Sequence, residues 1–167
     1  ESLFQHLIVD TDGAANIIQH PAVVAVTLTG SEQAGRSIAS QAGKHLKKSV
    51  LELGGCDPYV VLKDADIDLA ARAIVTSRLN NTGQVCIAAK RVIVDHLIEN
   101  ELIDRIIHHM ASFTLGDPLD PQTKLGPMAR KDLRDTLQLQ VEKSLKQGAK
   151  LLCGGIIPKE KGFYYPP

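Results

Sequence analysis

The sequence predicts an α/β protein in which parallel strands are joined by helices, and three features carry that expectation. Short β-branched runs alternate with amphipathic stretches, the turns between them are short, and Asp, Ser and Gly punctuate their ends. Val23 to Leu28 is a β-branched run suited to a buried strand. Ser31 caps a helix running toward Ala42, Glu32 suits its positive start, and Gly43 is expected to supply a left-handed stop. A second strand follows at Ser49–Leu53 and breaks at Gly54-Gly55. Strand, helix, strand with such short turns is a βαβ unit.

The pattern restarts with a strand over Tyr59–Leu62. A helix capped by Asp64 or Asp66 carries Leu69, Ala73, Ile74 and Leu79 at helical spacing. The polar break Asn80-Asn81-Thr82-Gly83 precedes Cys86, and Arg91–Val94 reads as another strand. Leu102, Ile103, Ile106, Ile107 and Met110 mark an amphipathic helix. Proline and glycine between Leu115 and Pro127 forbid regular structure there. Leu133, Leu137, Val141 and Leu145 give a last helix, stopped at Gly148, before a short strand near Leu151-Leu152.

Composition excludes several classes of function. The chain has 167 residues, 44% hydrophobic and 23% charged, as in ordinary globular proteins. Lys plus Arg equals Asp plus Glu at 19 each, so charge gives no reason to expect nucleic acid or anionic membrane as a partner. No apolar run reaches membrane-span length. Cys56, Cys86 and Cys153 are odd in number and lack metal-ligand spacing, which points to a reducing, cytoplasmic setting without disulfide or zinc. Cys153 reads as a core residue, and His108-His109 are adjacent and so face different directions, a poor metal pair. A start at Glu1 without Met, and a stop after Tyr164-Tyr165-Pro166-Pro167, lead us to expect an internal segment of a longer protein.

Three places carry chemistry. A lone cysteine is more often a small buried hydrophobe than a nucleophile. Cys86, however, follows a polar glycine break where a thiol and its own amide can face a cleft, with Lys90 as a nearby cation. Glu52 interrupts an apolar strand just before two glycines. It is either an exposed strand-end charge or a partly desolvated general base at the edge where open α/β sheets gather ligands. Gly30-Ser31 through Gly35 places a glycine turn before a capped helix, which is a phosphate site or a plain helix cap. Arg78, eight residues before Cys86, reads as a surface salt-bridge residue, with approach to a substrate carboxylate as the alternative.

The combination is more specific than its parts. Leu28-Thr29-Gly30-Ser31 with Gly35, then Leu51-Glu52-Leu53-Gly54-Gly55, then Asn81-Thr82-Gly83-Gln84-Val85-Cys86 resembles the aldehyde dehydrogenase superfamily in content and spacing. Gly116-Asp117-Pro118, Thr123 and Gly126-Pro127-Met128 are similar to a downstream loop of that family. The likeness extends over nearly the whole chain. Gly43 to Lys48 and Gln84 to Arg91 look most like succinate-semialdehyde dehydrogenases.

The resemblance implies an aldehyde dehydrogenase-like fold. Residues 1–55 would be the C-terminal part of a Rossmann-like NAD(P)-binding domain, and residues 56–167 the N-terminal part of the catalytic thiol domain. Cys86 would be the nucleophile and Glu52 the general base. Gly30 and Ser31 would lie beside the cofactor pyrophosphate, Gly35 in the same turn of helix, and Leu53 with its backbone near the nicotinamide. The implied reaction is oxidation of a small-molecule aldehyde, succinate semialdehyde among them, to a carboxylic acid. NAD or NADP would be the cofactor, with no metal, and the full-length protein is expected to be a homo-oligomer, dimer or tetramer.

The family also uses an asparagine that completes an oxyanion hole, a lysine on the adenosine ribose and a glutamate on the nicotinamide ribose. All three belong to regions outside these 167 residues, so the chain alone is expected to be inactive. Two other classes compete with this reading. A non-catalytic α/β interaction domain would show no selective thiol reactivity at Cys86. A cysteine hydrolase would need a histidine partner that the sequence does not offer.

Overall fold

The computed structural model describes residues 3–159 and 161–167, and the chain divides into two compact units, Glu1–Gly55 and Cys56–Pro167. The first contains α1 (Thr11–Gln19), β1 (Ala25–Thr29), α2 (Glu32–Lys44) and β2 (Lys48–Glu52). β1 and β2 pair in parallel from Ala25 opposite Lys48 to Thr29 opposite Glu52, with α2 as the crossover. A parallel pair needs such a connection, and Ser31 makes the turn into it by accepting a hydrogen bond from the Ala34 amide at 3.2 Å.

α2 does not stop at Gly43. Instead Leu46 takes the left-handed conformation at φ 54°. The Lys47 amide donates to the Ala42 carbonyl at 2.9 Å and the Leu46 amide to the Gly43 carbonyl at 3.1 Å. This is a Schellman closure with leucine where glycine is usual. Leu46 is almost fully exposed, so its side chain meets no obstruction there. α1 lies in the least distinctive part of the sequence, yet Asp10 caps it by accepting from the Gly13 amide at 2.8 Å. The Lys47 ammonium donates to the carbonyls of Ile18 and His20, satisfying the end of α1. Buried Ile18, Gly35 and Ala42 make only a thin core, and Val50 in β2 stays 59% exposed.

The second unit contains β3 (Pro58–Val61), α3 (Ile67–Leu79), a 3₁₀ turn over Asn80–Gly83, β4 (Arg91–Val94), α4 (Glu99–Met110) and α5 (Lys131–Lys146). β3 and β4 pair in parallel from Pro58 opposite Arg91 to Val61 opposite Val94. Asp66, not Asp64, caps α3, accepting from the Leu69 amide at 3.0 Å. α3 packs on α4 around Val61, Ala71, Ile74, Ala89 and Leu102, with Leu102 only 1% exposed. Val75, Leu79 and Leu125 form a second cluster with Met110 and Phe113. α5 ends at Gly148, left-handed at φ 96° as its position predicted. Leu151-Leu152 forms no strand; left-handed Gly154 and Gly155 follow it and bend the chain away from extended pairing. Cys153 is exposed rather than buried in a core.

Candidate active site

The loop carrying Cys86 begins where α3 runs out. Asn81 (φ 50°), Thr82 (φ 56°) and Gly83 (φ 74°) are all left-handed, a run that reverses the chain sharply. Only glycine adopts that conformation freely, so Asn81 and Thr82 must be held in it. The holding contacts are specific. The Asn81 carbonyl accepts from the Gln84 amide at 3.1 Å and from its side-chain Nε2 at 3.2 Å. Thr82 Oγ1 donates to the Gly126 carbonyl at 3.2 Å, and Gln84 Oε1 accepts from the Ala129 amide at 3.0 Å. These bonds tie the loop to the glycine- and proline-rich 114–129 segment.

Downstream of the thiol, Ala88 and Ala89 are buried while Ile87 is 65% exposed. The Ala89 amide donates to Ser77 Oγ at 3.2 Å, and Ser77 Oγ also accepts from the Tyr59 hydroxyl at 2.7 Å. Cys86 therefore sits at the exposed crest of a loop pinned at both feet. Among the described residues its own amide N–H donates to no acceptor, leaving that donor free beside the thiol. The Lys90 ammonium donates to the carbonyls of Cys86, at 2.7 Å, and Val85, at 3.2 Å. Lys90 thus neutralises backbone dipoles of the loop, a different task from approaching the thiol.

Arg78 departs from the surface salt-bridge reading of the sequence. It makes no ion pair among the described residues. Its Nη2 donates to the Gly83 carbonyl at 2.5 Å and its Nη1 to the Ala89 carbonyl at 3.4 Å. Burial pulls the guanidinium below its ordinary pKa, yet arginine starts so high that it stays charged. The sequence signal available was an arginine on the last turn of a helix leading into a glycine loop, which does not reveal what the guanidinium meets.

In the first unit, Glu52 ends β2 at the C-terminal edge of the parallel pair, and its carbonyl accepts from the Gly30 amide at 3.0 Å. Gly30 and Glu52 are thereby neighbours across the two strand ends. The Glu52 side chain is exposed, so the desolvated environment considered for it is absent from this unit. Gly35 is buried against Leu53, where an added Cβ would lie 2.8 Å from Leu53 Cδ2 and 3.0 Å from Cδ1. A larger residue there would force the Leu53 side chain to shift. Gly35 and Leu53 line one cleft of about 320 Å³ with Glu32 and Gly54, whereas Ser31 lines a different groove beside Leu28 and Gln33.

The start of α2 has features that suit a dinucleotide. Gly30 and Ser31 are exposed at the end of a strand, and the first amides of a 13-residue helix have no partner within it. Glu32 places a carboxylate at this helix start, but it pairs with Arg36 at 3.8 Å. Among the described residues no group of three or more His, Cys, Asp or Glu is arranged to hold a metal ion, and no helix is long and apolar enough to cross a membrane. Among the described residues no histidine hydrogen-bonds to the Cys86 loop: His109 Nε2 pairs with Asp68 at 3.0 Å, and His96 with Asp95.

Comparison with known proteins gives a consistent result. The model of the aldehyde dehydrogenase family matches residues 2–167. The succinate semialdehyde dehydrogenase [NAD(P)+] Sad of Escherichia coli is 50% identical over the whole of this chain, which covers 36% of that relative. The succinate-semialdehyde dehydrogenase [NADP(+)] 1 of Mycobacterium ulcerans is 44% identical, again over all of this chain and 36% of its own length. A crystal structure of succinic semialdehyde dehydrogenase from Streptococcus pyogenes, in complex with NADP+ as the cofactor, superposes with a TM-score of 0.92 at 38% identity. That match covers 96% of this chain and 35% of the other. The chain thus spans about a third of the length of the relatives it matches.

Proposed function

The chain belongs to the aldehyde dehydrogenase family and has its α/β fold, and from that premise we propose that it is the nucleophile-bearing segment of an NAD(P)-dependent enzyme oxidising succinate semialdehyde to succinate. The observation that carries the reading is the Cys86 loop: an exposed thiol on a crest pinned at both feet, with its own amide free. The identity of 50% to the Escherichia coli relative supports the substrate assignment. Residues 1–55 are assigned to the cofactor domain and residues 56–167 to the thiol domain.

The chemistry follows from these groups. The Cys86 thiolate adds to the aldehyde carbon, forming a C–S bond, and the carbonyl electron pair moves onto oxygen. The free Cys86 N–H donates to that oxyanion, which needs no rearrangement because the loop is already fixed. A bound nicotinamide would supply the hydride acceptor needed to bring this adduct to the oxidation level of a thioester. Gly30 and Ser31 would hold its pyrophosphate, with Gly35 in the adjoining turn, while the Leu53 backbone would approach the ring. Glu52 takes a proton from water, whose oxygen attacks the thioester carbon; the C–S bond breaks and the thiolate returns. Glu52 is exposed at its strand end, so water can reach its carboxylate.

In the full-length protein, Cys86→Ala is expected to abolish oxidation, and Glu52→Gln to slow hydrolysis of the acyl-enzyme. Turnover by Cys86→Ala near the parent rate would refute the assignment. The exposed apolar side chains of the strands, such as Val50, Val60 and Ile93, fit the same reading. Parallel strands are normally covered on both faces, so the remainder of the protein is proposed to cover these.

A further inference from the structure

The proposed chemistry depends on a loop whose conformation is locally unfavourable, and among the described residues Arg78 donates to a carbonyl at each of its feet. Its guanidinium donates to the Gly83 carbonyl before the thiol and to the Ala89 carbonyl after it. We infer that Arg78 is a positioning residue that fixes the span from Gly83 to Ala89, and with it the Cys86 thiol and amide. This rests on the reading of Cys86 as the nucleophile.

Two observations support a clamp over a surface or substrate role. Arg78 is partly buried with no carboxylate partner among the described residues, an unfavourable placement unless carbonyl dipoles compensate it. Gly83 is also shaped around it. A Cβ at Gly83 would overlap Arg78 Nη2, forcing the guanidinium out of its place, and lie 2.9 Å from the Arg78 carbonyl. The planar fork matters, since it presents separate donors to two acceptors at once, whereas a lysine ammonium reaching the same place is a point charge.

The test uses the full-length protein carrying Arg78→Ala, Arg78→Lys, Gly83→Ala or Cys86→Ala, with succinate semialdehyde and an uncharged aldehyde of similar length. Arg78→Ala is expected to lower kcat roughly 10- to 100-fold on both aldehydes, through misplacement of the reacting groups, while KM and NADP+ affinity stay near wild type. Arg78→Lys should recover part of the loss, and the Ala88 and Ala89 amides should exchange faster in Arg78→Ala. An unchanged kcat, unchanged exchange at those amides, or a KM rise confined to the charged aldehyde would overturn the inference. The last result would make Arg78 a substrate-carboxylate ligand. If Arg78→Ala fails to fold, Arg78→Lys and Gly83→Ala carry the same comparisons. Full turnover by Cys86→Ala would instead sink the functional reading, and amide exchange would still decide whether Arg78 holds the loop.

Discussion

Replacing Gly83 by alanine should loosen the nucleophile loop by an amount that can be worked out from its geometry. Gly83 sits at φ 74°, where an L side chain costs roughly 1–2 kcal/mol. The added Cβ lies 2.9 Å from the Arg78 carbonyl, a backbone atom that cannot swing aside. It also displaces Arg78 Nη2 from the Gly83 carbonyl, and a hydrogen bond from a charged donor contributes about 1.5–3 kcal/mol. Taking the lower half of each range gives about 3 kcal/mol, or on the order of 100-fold in the equilibrium for local opening. Hydrogen exchange in the full-length protein reads this directly. The Ala89 amide, bonded to Ser77 Oγ, and the Ala129 amide, bonded to Gln84 Oε1, should exchange faster by about that factor. Helix amides in α5 should be unaffected. Loop amides staying within about threefold of wild type would refute the claim that Gly83 and Arg78 hold the loop.

Ser31→Ala removes the cap of α2 and should destabilise by about 1 kcal/mol in denaturant unfolding, with weaker NADP+ binding if the turn holds pyrophosphate. Leu102→Ala, at the centre of the α3–α4 contact, should cost about 2–5 kcal/mol by the same measurement. Asp68 bonds His109 and is held below the ordinary carboxylate range by that bond, with help from Arg72. Because its folded pKa is depressed, its contribution is present above about pH 4 and is lost as pH falls through the folded value. Unfolding midpoints of wild type and Asp68→Asn should therefore differ at neutral pH and converge in acid; a constant difference would contradict this.

Much of the architecture was legible because local signals and tertiary demands agreed. The apolar run before Thr29-Gly30 became β1, Arg91–Val94 became β4, and Ser31 and Gly148 start and stop their helices. Gly43 misled because a glycine inside a helix looks like a stop, and the Schellman closure was completed instead by exposed Leu46, whose side chain meets nothing. Cys153 lies beside Leu151 and Leu152, and all three are exposed rather than packed in a core. In the site, the motifs singled out Cys86 and Glu52 but not what holds the loop. Arg78 acts through carbonyls of Gly83 and Ala89, and any residue supplies a carbonyl, so the acceptors have no signature in sequence. Gly35 is a related case: its contact with Leu53 depends on how α2 packs against the end of β2, which spacing alone does not specify.

If Cys86 carries the acyl group and Glu52 releases it, losing the Glu52 carboxylate should strand the acyl group on the thiol. Full-length Glu52→Gln should be mixed with succinate semialdehyde and NADP+, quenched, digested and weighed. One equivalent of NADPH per site is expected, with an acyl mass on the peptide bearing Cys86 that persists far longer than in wild type. An unmodified Cys86 peptide in an enzyme that keeps turning over would contradict it.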